Sequence, residues 1–131
     1  MTTPIVLLVD DNEGNRDLME LYLEGLPVRC MTASDGQGAL KSVAQSRPDL
    51  ILLDVMMPKM SGFEVCRAIK SDESLREIPV VMVTALDSVV DQDRAKSEGA
   101  DGYMVKPIDR EGLRAGSYTH LTLPTNGCVG V

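Results

Sequence analysis

One segment decides the fold: LILLDVMMPKMSGFE, residues 50–64. Its first four residues are apolar throughout, which is typical of a short strand covered on both faces of a sheet. Asp54 follows this run directly, and a loop punctuated by Pro58 and Gly62 comes next. The segment therefore predicts a buried strand that presents a carboxylate at its carboxyl end.

Acidic side chains also follow an earlier apolar run, IVLLV at residues 5–9, which ends in Asp10 and Asp11. The carboxyl ends of parallel strands are where open sheets bind ligands, so we expect these carboxylates to lie near Asp54. Three neighbouring carboxylates repel one another unless a hard cation joins them, and Mg²⁺ prefers oxygen ligands. The cluster predicts a metal site, and capping of the next helix by Asp11 or Asn12 is an alternative or additional role.

Apolar runs alternate with amphipathic segments along the whole chain, which predicts an α/β fold with right-handed crossovers and a parallel sheet. The predicted strands are Ile5–Val9, Val28–Ala33, Leu50–Leu53, Val80–Val83 and Gly102–Val105. The predicted apolar helix faces are Leu18, Leu21, Tyr22 and Gly25; Ala39, Leu40, Val43 and Ala44; and Phe63, Cys66, Ala68 and Ile69.

The composition fits one globular domain with an acidic surface. The 131 residues include 13 Lys and Arg against 20 Asp and Glu, a net charge of −7. Nucleic-acid binding needs basic phosphate contacts, so we expect no direct nucleic-acid partner. No apolar run is long enough for a membrane span. Cys30, Cys66 and Cys128 show no metal-ligand spacing, which favours free thiols in the cytoplasm.

Four pieces of sequence, each at the end of an apolar run, resemble the receiver domain of two-component response regulators. They are Asp10-Asp11, Asp54 with its loop, Thr84-Ala85 and Lys106-Pro107. The resemblance extends over roughly residues 4–115. It implies a flavodoxin-like, doubly wound sheet of five parallel strands in the order 2-1-3-4-5.

The resemblance also implies a signalling function. A sensor histidine kinase or a histidine phosphotransfer protein would donate a phosphoryl group to Asp54 in a Mg²⁺-dependent reaction. The phosphorylated domain would then switch conformation and control an output domain absent from this chain. The sole histidine of the chain, His120, lies in an atypical segment, so the phosphate must come from another molecule. We expect a self-phosphorylating switch with at most weak autophosphatase activity, and not a free-standing enzyme.

Specific roles follow from the resemblance for the metal ligands. Asp11 and Asp54 would bind Mg²⁺ directly, the backbone carbonyl of Met56 would add a third protein ligand, and Asp10 would act mainly through water.

Further roles follow for the other side chains at this edge. Thr84 and Lys106 would stabilise the phosphoryl group, and Thr84 with Tyr103 would form the conformational switch. The Lys106-Pro107 peptide bond is expected to be cis, which would direct the lysine inward.

Two other functions compete with this interpretation. A Mg²⁺-dependent phosphatase of the haloacid dehalogenase type also uses a strand-end aspartate, but it carries a second aspartate where this chain has Met56. A phosphate-independent interaction domain would not need the complete set of site residues. The sequence of residues 78–87 resembles that of receivers fused to cyclic-dinucleotide or phosphodiesterase output domains. This resemblance suggests an output domain of that kind.

The C-terminal segment differs in composition, because no Asp, Glu, Lys or Arg occurs after Ala115. A fifth helix is predicted only over residues 109–115, since Gly116 and Ser117 oppose its continuation. Residues 117–125 resemble the translated end of a transposon sequencing adapter. We therefore divide the chain into a receiver domain at 1–115 with an incomplete fifth helix and a non-native, irregular and poorly packed tail at 116–131.

Overall fold

The computed structural model describes residues 3–121, which form five strands and five helices in strict alternation. The elements are β1 (Ile5–Val9), α1 (Glu13–Leu23), β2 (Arg29–Ala33), α2 (Gly36–Ser46), β3 (Leu50–Leu53), α3 (Gly62–Lys70), β4 (Val80–Thr84), α4 (Val89–Ser97), β5 (Gly102–Val105) and α5 (Arg110–His120). All strands pair in parallel in the order β2-β1-β3-β4-β5, which confirms the predicted topology. Among these residues, none of the helices has the length and apolar character to cross a bilayer.

The strands β1, β3 and β4 supply most of the core because both faces of the sheet are covered. Their successive side chains point to opposite faces and enter two separate apolar clusters. Leu7 and Ile51 pack with the helices α2 and α3, whereas Leu8 and Leu52 pack with α1 and α5. These four side chains are fully buried, which explains why the strand sequences are apolar at every position.

Each helix begins after a polar side chain that accepts a hydrogen bond from the backbone N–H three residues later. These N-cap residues are Asn12, Asp35, Ser61, Ser88 and Asp109. Such a cap contributes about 1 kcal/mol by satisfying a backbone donor that has no partner within the helix. The first cap is Asn12 and not Asp11, so the Asp11 carboxylate does not carry the capping bond.

The buried face of α1 only partly matches the predicted one, in which Tyr22 is the residue that packs against the core. Met19 and Leu23 are buried, whereas Leu18 and Leu21 are 43% and 58% exposed, and Gly25 lies beyond the end of the helix. Both sets of residues recur at helical spacing, so periodicity alone cannot choose between two adjacent stripes. Packing against the sheet selects the stripe that contains Met19 and Leu23.

Smaller differences affect the other elements. Ala44 and Ala68 are exposed on α2 and α3, because an alanine on the solvent side of a helix satisfies the periodic pattern as well as a core residue does. Strand β2 begins at Arg29, one residue after the predicted Val28, and β4 extends through Thr84. The remaining strand boundaries are as predicted.

The fifth helix continues to His120, so its predicted end at Ala115 is wrong. Residues 116–120 are helical and Leu121 is buried, contrary to the expected irregular tail. The other residues of that segment, 122–131, including Leu123 and Pro124, lie outside the described residues. The non-native origin of the tail and the division at residue 115 stay predictions.

Tertiary packing explains why α5 continues through residues with low helix propensity. A Cβ atom added to Gly116 would lie 2.9 Å from Met104 Sδ, so glycine lets α5 approach β5 closely. Ser117 is fully buried, and its hydroxyl donates a hydrogen bond to the Leu113 carbonyl at 2.8 Å. Helices in proteins gain most of their stability from such packing and not from propensity.

Helix α4 is attached mainly through its C-terminal end, and Ala95 is its one buried residue. The Arg67 guanidinium of α3 donates two hydrogen bonds to the Glu98 carboxylate, at 2.9 and 2.7 Å. The Arg94 guanidinium lies 4.5 Å from the centre of the Phe63 ring, also on α3. These contacts hold α4 against α3 by electrostatic attraction. The other faces of α4 are exposed to solvent.

We expect Leu113→Ala to lower the free energy of unfolding by about 2–5 kcal/mol, because Leu113 is fully buried and the substitution leaves a cavity. Tyr118→Ala, on the exposed side of α5, is the matched control and should cost less than about 1 kcal/mol. Equilibrium unfolding in urea measures both. Equal, small effects would mean that α5 does not dock on the sheet in solution.

Candidate functional site

The carboxyl edge of the sheet brings together residues from four strands. Asp10 follows β1 and is fully buried, and Asp54 follows β3 and is 6% exposed. Backbone hydrogen bonds fix the chain where it leaves β3 and β5. The Asp54 N–H donates to the Val9 carbonyl at 2.9 Å, and the Lys106 N–H donates to the Thr84 carbonyl at 2.8 Å. These bonds extend the sheet by one residue and fix where the side chains start.

Three carboxylates form an acidic cluster at this edge. One oxygen each from Asp10, Asp11 and Asp54 lies within 4.8 Å of the other two. Two of the side chains are buried and Asp11 is exposed, so the cluster is open to solvent on one side. A set made only of carboxylate oxygens, with room for water ligands, fits a hard divalent cation.

The ammonium group of Lys106 forms ion pairs with two carboxylates of this cluster. Its Nζ atom lies 2.7 Å from Asp10 Oδ2 and 3.5 Å from Asp54 Oδ2. The lysine side chain is only 23% exposed, and the Lys106-Pro107 peptide bond is cis. One ammonium against three carboxylates leaves a local excess of negative charge.

The environment of Asp54 disfavours its charged form. Burial raises the pKa of the Asp54 carboxyl above its ordinary value, and the nearby Asp10 charge raises it further. The Lys106 ammonium, the Met56 N–H at 3.2 Å from Oδ1 and the nearby Thr84 hydroxyl lower the pKa only in part. The Asp54 carboxylate is therefore held at a free-energy cost that an added cation would offset.

Thr84 and Tyr103 meet at the loop that follows β4. Thr84 is fully buried, and its Oγ1 atom accepts a hydrogen bond from the Leu86 N–H at 3.4 Å. The Tyr103 hydroxyl donates to the Leu86 carbonyl at 2.7 Å, and burial raises the pKa of this phenol. Tyr103 thus contacts the β4–α4 loop and not the carboxylates.

Met56 projects into solvent and is 56% exposed.

Two residues of α1 that were not among the predicted site residues also contact Asp10. The Asn15 amide nitrogen lies 3.4 and 3.3 Å from the two carboxylate oxygens of Asp10. The Arg16 guanidinium donates to the Asp10 backbone carbonyl at 2.7 Å. The signal for Asn15 was its place three residues after the Asn12 cap, a position whose side chain reaches back over the preceding loop.

The arrangement combines a buried carboxylate, an open acidic cluster, an ammonium group and a buried hydroxyl at one sheet edge. A carboxylate can attack a phosphoryl group and form an acyl phosphate, and such transfer depends mainly on positioning and charge stabilisation. The residues at this edge supply both.

Known proteins resemble this chain in sequence and in fold. A family model described as the response regulator receiver domain matches residues 6–116. The response regulator PleD of Caulobacter vibrioides is 48% identical over 104 residues, covering 79% of this chain and 23% of that protein. Protein PilG of Pseudomonas aeruginosa is 31% identical over 116 residues, covering 88% of this chain and 86% of that protein.

A solved structure of the chemotaxis response regulator CheY4 of Vibrio cholerae superimposes with a TM-score of 0.86 at 33% identity. It covers 92% of this chain and 100% of that one. The chain thus spans about a quarter of PleD but the whole of CheY4. Since the family model extends from β1 into α5 and includes the whole carboxyl edge, the chain belongs to the family of response regulator receiver domains.

Proposed function

We propose that the chain receives a phosphoryl group on Asp54 from a sensor histidine kinase or a histidine phosphotransfer protein, in a Mg²⁺-dependent reaction. The observation that carries the proposal is the buried Asp54 carboxylate with the Lys106 ammonium 3.5 Å away, inside a cluster of three aspartates. An Asp54 oxygen would form the new bond to phosphorus, and the phosphorus–nitrogen bond of the donor histidine would break. The bonding electrons would leave with the imidazole.

The acidic cluster would hold Mg²⁺ through Asp11, Asp54 and the backbone carbonyl of Met56, with Asp10 acting through water. When bound, the ion neutralises negative charge on the reacting phosphoryl oxygens. Asp11 suits direct binding because it is exposed and does not cap α1. The buried Asp10 already accepts short hydrogen bonds from protein groups, which suits a less direct role.

Lys106 and Thr84 would stabilise the phosphoryl group once it is on Asp54. Both residues lie at the ends of neighbouring strands, so small rotations would bring the ammonium and the hydroxyl to the phosphoryl oxygens. Movement of Thr84 would weaken its bond to the Leu86 N–H and so disturb the loop that also binds Tyr103. Thr84 and Tyr103 would thereby connect the chemistry to the position of α4.

The switch would act on an output domain, either fused to this domain or separate. The sequence around β4 favours an output related to cyclic dinucleotides. The absence of a nucleic-acid partner and a cytoplasmic location stay predictions. A free-standing phosphatase of the haloacid dehalogenase type is disfavoured because Met56, where such an enzyme carries its second carboxylate, has an apolar, exposed side chain that cannot act as an acid or base.

Asp54→Asn should abolish phosphorylation, because an amide cannot serve as the nucleophile. The test incubates the chain with acetyl phosphate and Mg²⁺ and follows the phosphoryl mass increase of the intact protein. Asp93→Asn makes the same chemical change on the exposed surface of α4 and should be labelled like the natural sequence. Labelling that persists in Asp54→Asn would assign the reaction to another residue.

Mg²⁺ should raise the melting temperature, because an ion that binds only the folded chain stabilises it by mass action. At ten times the dissociation constant the gain is about 1.4 kcal/mol. Asp11→Asn should remove most of this gain, whereas Asp17→Asn, on the exposed side of α1, should keep it. A gain of the same size in Asp11→Asn would place the ion elsewhere. A Mg²⁺ titration followed by circular dichroism melting measures all three proteins.

A further inference from the structure

We propose that Asn15 is a positioning residue that takes over the Asp10 carboxylate when Lys106 turns to a phosphoryl group on Asp54. The inference rests on the proposed function of Asp54. The exchange would keep a buried carboxylate in place after its charged partner has left.

The contacts of Asp10 are unequal in the state described here. Its Oδ2 atom accepts a short bond from the Lys106 ammonium at 2.7 Å, and its Oδ1 atom accepts the Asn12 N–H at 2.9 Å. The Asn15 amide nitrogen lies 3.4 Å from Oδ1 and 3.3 Å from Oδ2. Both distances are longer than an ordinary N–H···O bond, so Asn15 contributes little while Lys106 holds Asp10.

The Lys106 ammonium serves two carboxylates and cannot stay equally close to both after phosphorylation. Its Nζ atom is already 3.5 Å from Asp54 Oδ2. A phosphoryl group adds negative charge there and attracts the ammonium away from Asp10. Asp10 is fully buried, and a buried carboxylate that loses its donor incurs a large desolvation penalty.

Asn15 is the side chain placed to limit that penalty. Its amide nitrogen carries two N–H groups and lies almost equally far from both Asp10 oxygens, so a shift of a few tenths of an ångström makes either contact an ordinary hydrogen bond. The amide is neutral and therefore does not compete with Mg²⁺ for the cluster, as a second lysine or arginine would.

The backbone around Asn15 is fixed, which makes the side chain a reliable donor. The Asn15 N–H donates to the Asn12 cap at 2.9 Å, and the neighbouring Arg16 holds the Asp10 carbonyl at 2.7 Å. Helix α1 and residue Asp10 therefore keep their relative position while the lysine moves. Only the side chains of Asn15 and Lys106 need to exchange roles.

The first test compares Asn15→Ala with the natural sequence. Phosphorylation by acetyl phosphate should slow by about tenfold, the lower end of the effect of removing a residue that orients a metal-site carboxylate. The dissociation constant for Mg²⁺ should change by less than about threefold, because Lys106 still holds Asp10 in the unphosphorylated state. Alanine keeps the backbone cap and has a higher helix propensity than asparagine, so the variant folds.

The second test is a double-mutant cycle with Lys106→Met, read out as Mg²⁺ affinity alone. With the ammonium removed, the Asn15 amide and the Asn12 N–H are the protein donors left to Asp10 among residues 3–121. Adding Asn15→Ala should then weaken Mg²⁺ binding by about tenfold, more than it does in the natural background, and this non-additivity is the signature of a shared partner. Gln45→Ala, which removes an exposed amide on α2, should have no effect in either background.

A merely structural role for Asn15 predicts a different result. The phosphorylation rate and the Mg²⁺ affinity would then fall together with stability, and the effects of the two substitutions would simply add. Either outcome would overturn the inference. Failure of the proposed function is distinguishable, since it would appear as persistent labelling of Asp54→Asn, whatever Asn15→Ala does.

Discussion

The repulsion among three neighbouring carboxylates, relieved in part by one ammonium group, is the constraint on which the site depends. Two of the carboxylates, Asp10 and Asp54, are buried and share Lys106. The folded chain therefore keeps an uncompensated negative charge at one sheet edge, where Asp11 faces solvent. A site in this condition gains from any cation that enters and responds strongly to any anion that is attached, and both properties suit a switch controlled by a phosphoryl group.

The fold creates this constraint by placing distant parts of the sequence side by side. The strand order puts β1 and β3 next to each other at the point where the chain reverses its direction along the sheet, and β4 and β5 follow on one side. Every strand therefore ends at the same edge. The apolar strands stabilise the fold because side chains such as Leu7 and Leu52 have no exposed surface. This stability offsets the repulsion among the three carboxylates.

Much of the fold and the site could be predicted because the relevant signals are local. Apolar runs that end abruptly at Asp10, Asp54 or Lys106 mark both the strand and the polar residue that the fold brings to the shared sheet edge. The buried stripe of α1 and the length of α5 could not be predicted in the same way, since packing against the sheet decides both. The contact of Gly116 with β5 shows the reason: the residue that weakens an isolated helix is the one that lets this helix dock. The position of the Asn15 amide beside Asp10 depends on the geometry of the Asn12 cap, which the sequence suggests but does not determine.

The weak attachment of α4 affects how the exposed surface of this helix can change during evolution. With Ala95 as its one buried residue and with ionic contacts gathered around Glu98, most positions of α4 contribute little to the core. Substitutions there alter shape and charge toward a partner at small cost in stability. The Asp54 edge, by contrast, is built on the buried residues Asp10 and Thr84. The surface of α4 can therefore acquire new recognition properties while the chemistry at the Asp54 edge stays constant. The same phosphoryl signal can then be passed to different partner proteins.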